Sequence, residues 1–174
     1  MTTDSELNTE LERTRQALEA WRNFSACHET VRDLLQQEVK RRHGVPSDWV
    51  EVLVRINDQP GSATRMHDLA AGMLHSKSGM TRLVDRMEAA GLVSRSDDPS
   101  DRRAVLVTLT KRGRRLLEEV LPTLVQVLVE RFAAHISPEE ARFLGVAMAR
   151  VIEANERLQQ TDATPGAAAG RKTG

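Results

Sequence analysis

The chain has no tyrosine, a single cysteine, and aromatic residues at only 3% of its 174 positions. With so few large rings, the core falls to Leu, Val, Ala and Met, which suits packed helices better than a β-sandwich. One cysteine, Cys27, excludes an internal disulfide framework and fits a reducing compartment. It reads as a buried or half-buried structural thiol rather than a redox switch. No apolar run reaches the ~18 residues of a membrane span. The opening MTTDSELNTELER is acidic and polar, unlike a signal peptide. A cytoplasmic chain with no membrane partner is expected. The histidines (28, 43, 67, 75, 135) form no HExxH and no Cys/His cluster at metal spacing. No metal or cofactor is expected. No Gly-rich phosphate loop, GxSxG or acid pair appears, so the chain does not read as an enzyme.

Net charge is also lacking: 25 basic residues balance 25 acidic ones. The distribution is uneven, however. Between Arg65 and Arg115 eleven Lys and Arg stand against six acids, so that segment is strongly basic and the remainder equally acidic. Local charge, not the total, sets what a surface attracts.

Apolar spacing gives a mainly helical chain. Leu11, Leu18, Trp21, Phe24, Val31, Leu35 and Val39 recur at helical steps from about Asn8 to His43, where Gly44 and Pro46 stop the pattern. Ser47 to Asp58 reads as a second helix with Trp49, Leu53 and Ile56 on one face, and QPGSATR as a loop. Two short helices follow, the first carrying Met66, Leu69, Ala70 and Met73. Ser76 caps the second, which presents Met80, Leu83, Val84 and Met87 on one side, and Gly91 ends it. Its opposite face carries Lys77, Ser78, Thr81, Arg82, Asp85 and Glu88. This is a helix-turn-helix arrangement.

A hairpin comes next: the strand LVSRS, the turn DDPSD, and the strand AVLVTL with Val105, Val107 and Leu109 on one face. Thr110 caps a helix running to about Ala134, with Leu117, Leu121, Leu124 and Leu128 as its stripe and Pro122 inside it. SPEE at 137–140 is a capping box opening a last helix to about Gln159. The fold class is thus mainly α with a small β-hairpin, a winged helix-turn-helix with long N- and C-terminal helices.

Each part suits DNA. A helix fits the major groove and presents polar side chains to base edges. The adjacent hairpin tip, with Arg102 and Arg103, suits the narrow, electronegative minor groove. Arg95 and the KRGRR run at 111–115 lie near the hairpin base, placed to meet phosphates. That run opens a helix with positive charge, against the helix dipole, which points to a use outside folding.

DDPSDRRAVLVTLTKRG resembles the wing signature of the MarR family of bacterial transcription regulators, through Asp101, Arg103, Val107, Leu109, Thr110 and Gly113. LVDRMEAAGLVSR is similar to that family's recognition-helix end, and the resemblance covers about residues 10–159. It implies a homodimer interlocked through its terminal helices, bound to double-stranded DNA at a pseudo-palindromic operator, usually as a repressor. It implies Arg103 as the minor-groove arginine with Asp101 holding the wing tip. Ser76, Lys77, Ser78, Thr81 and Arg82 face the major groove, and Arg86 meets phosphate or an acid. The implied organisation is a disordered 1–8, an N-terminal dimerisation helix over 9–46, the DNA-binding domain over 47–110, dimerisation helices over 111–160 and a disordered 161–174. Such proteins often take a small aromatic effector beside the dimer helices; Trp21, Phe24, His28, Trp49 and Leu53 are the candidates to line it. The other function class left open is a winged-helix docking module, which would lack the basic wing and polar helix face seen here.

Overall fold

The computed structural model describes residues 4–73 and 76–162, leaving aside the side chains of residues 4, 5, 72, 77, 102 and 159–162. Helix α1 spans Asp4–His43, α2 Ser47–Asn57, α3 Met66–Gly72 and α4 Lys77–Ala89. Strand β1 is Ala63–Arg65, β2 Val93–Asp98 and β3 Asp101–Leu109, followed by α5, Lys111–Arg131. These lie in one compact unit ending at Arg131; a second unit from Phe132 holds α6, Pro138–Asp162. Within that second unit, Ser137 and Glu140 exchange the two hydrogen bonds of a capping box at the start of α6.

The core of the first unit is aliphatic, as the shortage of rings requires. Leu53 and Ile56 of α2, Leu69 and Met73 at α3, and Met80, Leu83, Val84 and Met87 of α4 are all buried. Leu92, Val93 and Val107 of the sheet and Leu117 of α5 close the cluster. A smaller one joins Val39, Val50 and Val120 across α1, α2 and α5. Polar contacts add to it: His43 meets the Thr123 hydroxyl at 2.8 Å, and Arg42 donates to Gln126 at 2.8 Å.

Helix α4 ends in a Schellman motif. The Leu92 N–H donates to Met87 O and Gly91 N–H to Glu88 O, with Gly91 at φ 70°. This turns the chain straight into β2. The other end of the hairpin returns to the same point. The Thr110 N–H and hydroxyl both reach Leu92 O, at 3.1 Å each, and the hydroxyl lies 2.7 Å from Gly91 O. The same hydroxyl accepts the Gly113 N–H at 3.0 Å, capping α5. At Gly113 a Cβ would overlap the Leu92 carbonyl oxygen and sit 3.0 Å from its carbon. The Leu-Thr-x-x-Gly pattern therefore has a mechanical meaning: threonine caps the helix, and glycine lets its first turn press on the strand backbone.

Several expectations need correction. The segment read as the loop QPGSATR contains β1, which pairs with β3 (Ala63↔Thr108, Arg65↔Leu106), so the hairpin belongs to a three-stranded antiparallel sheet ordered β1-β3-β2. Three residues are too few for alternation to show. Helix α1 begins at Asp4, so residues 4–8 are helical where disorder was expected; residues 163–174 of the expected disordered tail lie outside those described. The buried stripe of α5 is Gly113, Leu117, Val120, Thr123 and Val127; Leu121 and Leu128 fall on a neighbouring, exposed face. Both stripes have helical spacing, so sequence alone does not choose between them. Val105 is exposed because the sheet extends past the core towards the hairpin tip. Cys27 is exposed, not buried.

Gly113→Ala forces α5 off the Leu92 carbonyl. Overpacking of this kind costs about 1–3 kcal/mol, and backbone on one side leaves little room to relax. A lowered urea midpoint at unchanged slope is expected, whereas a midpoint within error of wild type would contradict the close approach.

Candidate nucleic-acid interface

Four residues, Met73 to Ser76, separate α3 from α4. The Ser76 hydroxyl accepts the Gly79 N–H at 3.1 Å and lies 3.2 Å from the Ser78 hydroxyl. Ser76 is thus first a cap that fixes the start of α4. With Met80, Leu83, Val84 and Met87 locked in the core, α4 turns Ser78, Thr81, Arg82, Asp85, Arg86 and Glu88 to solvent. The Lys77 side chain lies outside the described residues.

The two acids on that face would repel a phosphate backbone if left alone. Arg95 of β2 neutralises both, donating to Glu88 at 2.6 Å and pairing with Asp85 at 2.8 Å. It also reaches Thr81 O at 3.3 Å, while its own backbone N–H donates to Glu88 at 3.0 Å. Arg95, expected among the phosphate contacts, instead clamps α4 to β2. Arg86 turns towards α2, 3.8 Å from Asp48, a long and exposed pair worth little to stability. The N-terminal half of α4 exposes Ser78, Thr81 and Arg82, and among the described residues the Arg82 guanidinium has no partner.

The wing tip is built around Asp98, which is only 5% exposed. A register irregularity between Asp97 and Asp98 precedes the turn at Pro99 and Ser100, as expected of a bulge that re-aims a side chain. One Asp98 oxygen accepts the Ser100 N–H at 2.8 Å and hydroxyl at 2.7 Å. The other accepts from Arg65 Nε at 2.8 Å, and Arg65 Nη2 donates to the Ser100 hydroxyl at 3.1 Å. The Ser100 bonds first, then Arg65, pull the Asp98 carboxyl from 3.8 to about 2. On the next strand Asp101 accepts the Arg103 N–H at 3.0 Å. The Arg103 side chain is exposed and, among the described residues, without a partner. The Arg102 side chain lies outside those described. A polar half-helix and the Arg103 side chain on a pinned hairpin thus lie in one compact unit.

The MarR family model matches residues 43–104, from the end of α1 through the wing tip. The regulator HosA of Escherichia coli O111:H- is 32% identical over 114 residues, covering 63% of this chain and 82% of HosA. The chain belongs to the MarR family of transcription regulators. With the repressor MprA of E. coli K12 the match is 26% identical over 98 residues, covering 55% of this chain and spanning 56% of MprA's length. Among solved structures, AbsC of Streptomyces coelicolor superposes with TM-score 0.70 at 28% identity, over 90% of this chain and 97% of AbsC. Sco3205 of the same organism, solved in complex with DNA, gives 0.70 and 28% over 80% of this chain and 88% of Sco3205. BpsR of Bordetella bronchiseptica, whose DNA binding is regulated by 6-hydroxynicotinic acid, gives 0.61 and 27% over 76% and 91%.

Within this MarR-family chain the five effector candidates are not brought together. Trp21, Phe24 and His28 form an exposed ladder on α1, with ring centroids 6.1 and 6.4 Å apart. From His28 to Val39, where α1 packs on α2, the helix rises about 16 Å. Leu53 is 0% exposed in the core and lines no surface. Trp49 is partly buried against the core, and its indole Nε1 is buried without an acceptor among the described residues. No described helix is long and apolar enough to cross a membrane. The roles of Arg65, Asp98 and Arg95 were missed in the sequence. A charge census counts them among the basic surplus and its acids, but their pairings cross strands and have no local spacing.

The depressed carboxyl of Asp98 makes a pH prediction. Its bonds stabilise the fold above pH ~4, and that contribution is lost as pH falls through about 2. Glu38, held near 2 chiefly by Arg41 and then Arg42, titrates in the same window, so a difference isolates Asp98. The urea midpoint of wild type is expected to exceed that of Asp98→Asn at pH 6, with the gap closing between pH 4 and 2. A gap independent of pH would contradict the assignment.

Proposed function

We propose that this chain is a cytoplasmic transcriptional regulator of repressor type that binds a pseudo-palindromic operator as a homodimer. The observation that carries the reading is the placement of free charge. Three arginines of the basic segment are paired with acids (Arg65, Arg86 and Arg95), while Arg82 on α4 and Arg103 on the wing are open. In this reading Ser78, Thr81 and Arg82 face base edges in the major groove, and Arg103 enters the flanking minor groove. Ser76 positions the helix, Asp101 the arginine, and Lys77 and Arg102 add to the same two contacts. Arg86 leaves Asp48 for phosphate at little cost, the pair being exposed. A docking module has no use for cations kept free at these two places.

Apolar surface supports the dimer. Trp21 of α1 is 66% exposed, with Leu7, Leu11 and Leu18 on the same helix; α5 exposes Leu121, Val125, Leu128 and Val129. In the second unit, α6 exposes Phe143 (72%), Val146, Val151, Ile152 and Leu158. Stripes of this extent call for cover, and a two-fold axis covers both copies at once. It also sets two recognition helices on half-sites roughly 10 bp apart. A small aromatic effector completes the reading. BpsR is regulated by one, and the buried indole N–H of Trp49 finds no acceptor among the described residues, a cost of about 1–3 kcal/mol for a donor left unpaired.

Fluorescence anisotropy on the chain's own upstream DNA, near physiological salt with excess competitor, tests the proposal. Tight wild-type binding is expected, weakened about tenfold by Arg103→Ala with the dimer intact by light scattering. Arg82→Ala is expected to change the preferred sequence, not merely the affinity. Equal operator affinity of wild type and Arg103→Ala would sink the minor-groove assignment.

A further inference from the structure

We propose that Arg65 is a positioning residue of the wing: it fixes the hairpin tip to the strand that leads into α3, and so sets the approach of Arg103 to DNA. The inference rests on the DNA-binding reading above and adds a residue that the wing signature does not contain.

Arg65 closes β1 and immediately precedes α3. It is paired in register with Leu106 on β3, the middle strand, yet its guanidinium bonds residues of the tip beyond it. Nε donates to Asp98 at 2.8 Å, a residue 33 positions away, and Nη2 to the Ser100 hydroxyl at 3.1 Å. Ser100 in turn bonds Asp98 through both N–H and hydroxyl, so the three residues close a ring around the turn. Asp98 points inward here because the register slips between Asp97 and Asp98. One residue past the turn, Asp101 holds the Arg103 N–H. The ring around Asp98 thus lies next to the Asp101–Arg103 bond, joined to it by the Ser100–Asp101 peptide and the Asp98↔Asp101 register pair.

A free two-stranded tip is marginal in water. Here β1 pairs with β3 only from Thr108 to Leu106, and among the described residues no β1 backbone is paired with positions 97–105. The Arg65 guanidinium is the bond from β1 that reaches the tip among the described residues. Without it, Asp98 keeps its Ser100 bonds but loses its tie to the rest of the domain. Arg103 would then sample many approaches to a groove that accepts few, and part of its binding would go to ordering the tip.

The rival role for Arg65 is direct phosphate contact, since its side chain is 45% exposed. The two roles predict opposite results for Asp98→Asn. If Arg65 is a phosphate ligand, that change frees it, removes a negative charge and tightens DNA binding. If Arg65 positions the wing, the same change weakens binding. Arg65→Lys separates them again: a phosphate contact survives with lysine, whereas the two-pronged bond to Asp98 and Ser100 does not.

The test is operator affinity of the full-length chain for wild type, Arg65→Lys, Arg65→Met, Asp98→Asn, Arg103→Ala and the Arg65→Met/Arg103→Ala pair. Amide exchange at Ser100 and Arg103 is followed in the free protein. Roughly fivefold weaker binding is expected for Arg65→Met and Asp98→Asn, no rescue by Arg65→Lys, and a double variant no weaker than Arg103→Ala alone. Exchange at both amides is expected to quicken roughly tenfold in Arg65→Met while core amides stay slow. Losses that multiply in the double variant, or tighter binding by Asp98→Asn, overturn the proposal. So do unchanged exchange rates, and these are read without DNA: wild type that binds no operator refutes the DNA reading, while exchange still decides whether Arg65 holds the tip.

Discussion

The surface read as a DNA interface hangs from one close approach, the first turn of α5 against the carbonyl of Leu92. At that point the recognition helix ends, the wing begins, the wing returns and the long helix departs. Thr110 caps α5 while bonding the same carbonyl, and Gly113 leaves no side chain in the gap. The Schellman turn at Gly91 supplies the geometry from the other side. Helix α4, the hairpin and α5 are therefore tied together at one point. On the proposed dimeric reading such a joint matters: a change in the spacing of the two copies would reach the recognition helices only if nothing in between gave way.

Charge in this chain is arranged rather than accumulated. A sequence of zero net charge has one basic segment, yet the structure pairs part of its charge locally. Arg95 cancels Asp85 and Glu88 on α4, and Arg65 cancels Asp98 in the wing. Each pair has one exposed side, Arg65 at 45% and the two acids of Arg95 at 55% and 40%, so their value lies chiefly in geometry. They fix two elements and remove the acids that would repel a phosphate backbone. Among the described residues Arg82 on α4 and Arg103 on the wing keep no such partner, which is what the proposed reading uses.

The sequence made the elements with strong patterns legible: the buried face of α4, its serine cap, its glycine end and the wing strands. Those signals are local, within four residues along a helix or two along a strand. What it hid depends on distant partners. Strand β1 is three residues that become a strand only because β3 lies beside them. The two apolar stripes of α5 are equivalent in spacing, and contact with α1 and α2 picks Val120 over Leu121. Arg65 and Arg95 look like further members of a basic cluster until their acids are seen across the sheet. Leu53 was a plausible pocket wall by composition, but its helix turns it fully inward. At the proposed interface, composition marked out a basic surface, and pairing decided which of its described charges remain free.

Hydroxyl-radical footprinting of the wild-type complex on its operator addresses the two-fold, two-groove mode of binding most directly. The arrangement described here predicts a pseudo-symmetric footprint. Protected backbone would flank two major-groove segments about one helical turn apart, with separate minor-groove protection at both outer edges. A single unsymmetric footprint, or one without outer minor-groove protection, would contradict it.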